Sequence, residues 1–141
     1  MKILITIVSY FLFGSLCSFA QVAVIANKDV PVDTIAKSEL LDLYTLEIGL
    51  WNNGQDVTIF DLKPKGEVKN TFYNYLGKST SRMKSIWMKR MLSRGDDPPE
   101  SLESEELVLK KVSSTPGAIG FISKSNVSEE VKILVEIEMK N

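Results

Sequence analysis

The chain has 141 residues, with 17 basic and 18 acidic side chains, no histidine and a single cysteine, Cys17. Catalytic triads built on histidine, Cys-His pairs and Cys/His zinc sites all need residue types that are missing here, so those chemistries are excluded. A nearly neutral chain gives no basis for nucleic-acid binding, which relies on a strongly basic surface to neutralise phosphates.

Residues 1–20 read as a secretory signal peptide. Lys2 supplies the positive start, Ile3 to Phe13 is an uncharged and mostly apolar run, and Ser18-Phe19-Ala20 places small residues where a signal peptidase cuts. A membrane-spanning helix is the rival reading, but it needs roughly 20 strongly apolar residues and this run is shorter. Lipidation of Cys17 is not expected, because the bulky Leu16 precedes it. Cleavage after Ala20 predicts a periplasmic or secreted protein of residues 21–141. With Lys2 removed, 16 of the 17 basic residues face 18 acidic ones, and no cysteine is left for a disulfide.

Val22 to Ala26 is a continuous apolar run that predicts a buried strand, ended by an Asn27 to Asp33 loop that contains Pro31. Ser38 is expected to cap a helix over Glu39 to Thr45, with Leu40, Leu43 and Tyr44 at helical spacing. Trp51-Asn52-Asn53-Gly54-Gln55 predicts a turn, and Val57 to Leu62 a second strand. Val68, Phe72, Tyr75 and Leu76 give an amphipathic helix over Glu67 to Leu76, stopped by Gly77. Met83, Ile86, Trp87 and Met91 repeat that period from Thr80 to Leu92, before Gly95 and Pro98-Pro99 end the helix; Trp87 is expected in the core. A fourth helix is expected over Ser104 to Val112, with Ser104 as its cap. A Thr115-Pro116-Gly117 turn follows, then strands over Ala118 to Ile122 and Val131 to Ile137.

Strands separated by helices predict a single α/β domain, a mixed sheet covered by helices on both faces. Open sheets of this kind bind ligands at loops beyond the carboxyl ends of their strands, and those loops begin at Asn27, Lys63 and Ser123. Lys63, Lys65 and Gly66 form a candidate anion half-site, because a helix N-terminus attracts anions and Gly66 lets one approach the first amides. Glu67 already sits beside that positive end, so an ordinary helix start after a solvated Lys-Pro-Lys loop is the alternative. Asp96-Asp97-Pro98-Pro99 lacks the spacing of a calcium loop and reads as a solvated turn, so no metal and no cofactor are expected.

Lys78, Arg82, Lys84, Lys89, Arg90 and Arg94 cluster on and around the third helix, and an acidic stretch runs from Asp96 to Glu106. The pair reads either as a solvated surface or as a docking face for a membrane-protein partner such as a sensor or transporter.

The motifs in this order resemble phosphate-type periplasmic solute-binding proteins. The strand ending in Asn27, the Val30-Pro31-Val32 step, the helix running into Tyr44-Thr45-Leu46-Glu47-Ile48, and Trp51 with Gly54 all follow that pattern. So do the strand ending in Asp61, the helices carrying Phe72 and Trp87, and the string Thr115-Pro116-Gly117-Ala118-Ile119-Gly120-Phe121. The resemblance covers nearly all of Val22 to Glu136 and implies a single lobe of a periplasmic-binding-protein-like fold, a non-catalytic role, and a small oxyanion such as phosphate as ligand. Two departures stand out. Leu46-Glu47 replaces the family's Gly-Lys pair, and Lys65-Gly66-Glu67-Val68 replaces the Ser-Gly-Thr-Arg string that holds phosphate. With one lobe and without those hydroxyl donors, the expected oxyanion site is weak or lost.

Overall fold

The computed structural model describes residues 20–139. The expected signal peptide and Cys17 therefore fall outside the described residues, apart from Ala20. In chain order the elements are β1 (Gln21–Ala26), α1 (Lys37–Tyr44), β2 (Thr58–Leu62), α2 (Glu67–Leu76) and α3 (Thr80–Arg94), then β3 (Glu100–Leu102), α4 (Glu105–Ser114), β4 (Ala118–Ser123) and β5 (Lys132–Glu138). A short 3-10 turn, Lys124–Asn126, joins β4 to the approach of β5.

The five strands form one mixed sheet in the order β3-β2-β4-β1-β5. β2 runs parallel to β3 and β4, whereas β1 runs antiparallel to both β4 and β5. This direction of β1 corrects the expectation that the loops at Asn27, Lys63 and Ser123 gather at one end. The Lys63 and Ser123 loops share an edge, but Asn27 leaves the sheet at the opposite edge, where its amide donates to Ala118 O at the start of β4. There the Asn27 side chain donates to the carbonyls of Val112, Ser113 and Thr115, tying off the end of α4. Asn27 is thus a structural clamp, remote from the Lys63 loop.

Helices cover both faces. Gly120 lies under α4, where an added Cβ would sit 2.8 Å from Val108 Cγ1, so the close approach of helix and strand requires glycine. The neighbouring Phe121 points to the other face and stacks on Phe72 of α2, with ring centroids 3.9 Å apart and planes 9° apart. Tyr44 and Tyr73 pack edge-on to Phe72, giving an aromatic core between α1, α2 and the sheet. The polar tips are all satisfied: Tyr44 donates to Phe60 O at 2.9 Å, Trp87 Nε1 to Tyr44 O at 2.7 Å, and Trp51 Nε1 to Gly117 O at 2.9 Å. Trp87 is a core residue, as its spacing implies, and Trp51 is buried beside the Pro-Gly turn.

Local differences from the expected elements have physical causes. α1 starts at Lys37, with Ala36 at the cap position and no side-chain cap. The bond from Leu40 N to Ala36 O closes the first turn early, with Ile35 and Leu40 both buried, and this leaves Ser38 inside the helix. Leu46, just past α1, takes a left-handed backbone with φ of 64°, the geometry glycine adopts without steric penalty. The buried stripe of α2 is Lys69, Phe72, Tyr73 and Leu76, so the helix is rotated from the expected face and Val68 and Tyr75 lie at its margins. On α3, Met91 is exposed, not buried as its spacing predicts; only Met83 and Trp87 enter the core. Among the described residues, no helix is long and apolar enough to cross a membrane.

Candidate functional site

The parallel strands β2, β3 and β4 end at the same edge of the sheet, and an open cleft of about 590 Å³ lies beyond them. Lys65, Gly66 and Glu67 form one wall, Glu103, Ser104 and Glu105 another, and Ser123 closes the end. Two helix starts therefore face one space. Ser104 caps α4 by accepting from Leu107 N, whereas Gly66 begins α2 with no side-chain cap, so the first-turn amides of α2 have no side-chain partner. The Gly66 backbone is extended and open space lies where a Cβ would project.

The structure separates the three residues that the sequence grouped. Lys65 and Gly66 line the cleft. Lys63 sits on the rim and pairs with Glu103 at 3.0 Å, both side chains largely in solvent. Lys65 has no carboxylate partner among the described residues.

Sequence reasoning missed the charged group directly beneath this cleft. Asp61, near the end of β2, is 1 % exposed and accepts from three side chains: Lys69 Nζ at 3.3 Å, Tyr73 Oη at 2.5 Å and Ser101 Oγ at 2.9 Å. Burial pushes the Tyr73 phenol well above its ordinary pKa, and the Asp61 carboxylate beside it adds to the shift. Tyr44 is raised for the same two reasons, burial first. The available signal was Lys69 itself, a cation at i, i+3, i+4 and i+7 with Phe72, Tyr73 and Leu76, which needs a carboxylate partner if that stripe is fully buried.

The electrostatic consequence is direct. Lys69 lines the cleft floor but spends its charge on Asp61. With Glu103 paired to Lys63 on the rim, Lys65 is left facing two carboxylates, Glu67 and Glu105. Glu105 also accepts from the Ser123 amide and from Asn126 Nδ2, which fixes it in the far wall. What remains to hold an anion is Lys65 and the first amides of α2, in a site open to water.

A second concave surface lies between α1 and α3, with a volume of about 530 Å³. Lys78, Arg82, Lys89 and Arg90 line it together with Asp42 and Glu47, over a floor that includes Leu41 and Ile86.

No family model matches the chain, and no curated protein matches it. Solved structures do. A protein assigned as a phosphate ABC transporter substrate-binding protein of Clostridium perfringens, with phosphate bound, superposes with a TM-score of 0.68 at 18% identity, over 82% of this chain and 44% of that one. An ABC-type phosphate transport receptor of Vibrio cholerae gives 0.66 at 18% identity, over 82% and 45%. PstS of Borrelia burgdorferi gives 0.60 at 19% identity, over 82% and 46%. The chain thus spans less than half the length of these structures. Its fold is one lobe of a periplasmic-binding-protein-like architecture, a mixed sheet covered by helices.

Proposed function

We propose that residues 21–141 form a non-catalytic binding module, exported behind a cleaved presequence of residues 1–20 and working in the periplasm or outside the cell. Its small-molecule site is the Lys65–Gly66 cleft, which takes a small oxyanion such as phosphate weakly. The fold neighbours support this reading, since the substrate-binding proteins it resembles are described as phosphate receptors and one holds phosphate. The carrying observation is the charge balance of the cleft: Asp61 takes up Lys69 and Lys63 takes up Glu103, which leaves Lys65 against Glu67 and Glu105. An exposed cation and a few helix-end amides cannot supply the many charge-assisted hydrogen bonds of a tight oxyanion site. Calorimetric titration of the purified protein with phosphate, sulfate and other oxyanions tests this. Every dissociation constant is expected at or above about 1 mM, near −4 kcal/mol.

A second reading is favoured by a separate observation. α3 leaves Met88, Met91 and Leu92 exposed at 58, 43 and 79% on a helix that carries five cations. This surface suits docking on a protein partner, including one set in a membrane, without a small-molecule ligand.

A further inference from the structure

α3 holds Arg82, Lys84, Lys89, Arg90 and Arg94 and no Asp or Glu. Two of these cations are already used, Arg90 by Glu47 and Arg94 by Asp96. Lys78, Arg82, Lys84 and Lys89 have no carboxylate partner among the described residues. Met88 and Leu92, one helical turn apart, form an apolar ridge on the outward side of the helix. Lys89 and Ser93 border this ridge and also line the groove between α1 and α3, so ridge and groove are one continuous surface.

We propose that this surface docks an extended acidic segment of a partner protein, whose carboxylates meet Lys78, Arg82 and Lys89 and whose apolar side chains cover Met88 and Leu92. This rests on the docking reading above and names the partner's chemistry. Charge complementarity selects the occupant: the groove presents Lys78, Arg82, Lys89 and Arg90 against only Asp42 and Glu47. An anionic bilayer fits less well, because a flat surface cannot enter the groove and would meet the carboxylates on its α1 side. A second copy fits less well too, since its own acidic stretch over Glu100 to Glu105 is built into a strand and a helix start and is not an extended segment. Glu100 to Leu102 is paired to β2, Glu103 is held by Lys63, and Glu105 by Ser123 and Asn126.

The test is an NMR titration of the purified, ¹⁵N-labelled protein at low salt with a short synthetic peptide of repeating Glu-Glu-Leu. The expected result is amide shifts confined to α1 and α3, with affinity falling at least about tenfold in the double variant Arg82→Glu, Lys89→Glu and falling with added salt. Met88→Ser with Leu92→Ser supplies a second variant that leaves the charges intact and also weakens binding. Shifts mapping elsewhere would overturn this surface while leaving the docking reading standing. No shifts at millimolar peptide, tighter binding to phosphatidylglycerol vesicles than to the peptide, or self-association abolished by the same variants would each overturn the proposal.

Discussion

Lys69 Nζ lies 3.3 Å from Asp61 Oδ2, with both side chains almost wholly buried between α2 and β2. The pair, with Tyr73 and Ser101, links three elements at the edge of the sheet where the cleft opens. Because each partner offsets the other's burial, losing one leaves an uncompensated charge in the interior. Lys69→Ala and Asp61→Ala are each expected to cost about 3–5 kcal/mol in urea unfolding, whereas Asp61→Leu with Lys69→Met costs far less than the sum. Additive losses would show that the two charges do not interact.

Tyr44 and Tyr73 give a prediction at high pH. Both phenols have folded-state pKa values raised above the ordinary value of 10.0 by burial and by Asp61. The folded state therefore keeps protons that the unfolded state releases. Stability is fully present below about pH 10 and falls above it, by about 1.4 kcal/mol per pH unit for each tyrosine. Urea midpoints measured from pH 8 to 11 check this. Tyr73→Phe should lower stability at neutral pH and make the alkaline decline shallower; an unchanged slope contradicts the assignment.

Gly117 is held by its neighbours and by its own backbone. Its φ is +73°, and an added Cβ would fall 2.2 Å from Asp56 O. Asp29 Oδ1 accepts from its amide at 3.1 Å and Trp51 donates to its carbonyl, so the turn has little freedom to shift. Gly117→Ala is expected to destabilise by about 2 kcal/mol or more, read as a lowered melting temperature. Gly66→Ala, with open space at the same position, should change it little.

Much of this fold was legible from local signals. α2 occupies Glu67–Leu76 as its spacing predicts, Gly77 and Gly95 take left-handed backbones where they end their helices, and Ser104 accepts a capping hydrogen bond. Those features depend on residues within one helical turn. What was not legible depends on distant partners. β3 is three residues after Pro98-Pro99 with no apolar alternation, and it becomes a strand only through its ladder to β2. The antiparallel sense of β1 is set by pairing with β4 and β5, and no residue of β1 announces it. In the candidate site, Lys65 and Gly66 could be read from the loop, but Asp61 and Lys69 acquire meaning only when β2 and α2 meet.

The absence of histidine, and the position of the single cysteine, Cys17, within the proposed presequence, predict indifference to chelators and reductants. The melting temperature of the purified protein should be the same with and without a chelator or dithiothreitol. A fall of several degrees on adding chelator would reveal a stabilising metal bound through oxygen ligands.

The cleft at Lys65 and Gly66 is proposed to be a weak, open oxyanion half-site. Phosphate titration followed by amide chemical shifts measures affinity and position together. The expected dissociation constant is at or above about 1 mM, with shifts centred on Gly66 to Lys69. Binding should weaken further with salt and with Lys65→Ala. Submicromolar phosphate binding by the monomer would rule out a weak half-site and point to a transport-type receptor.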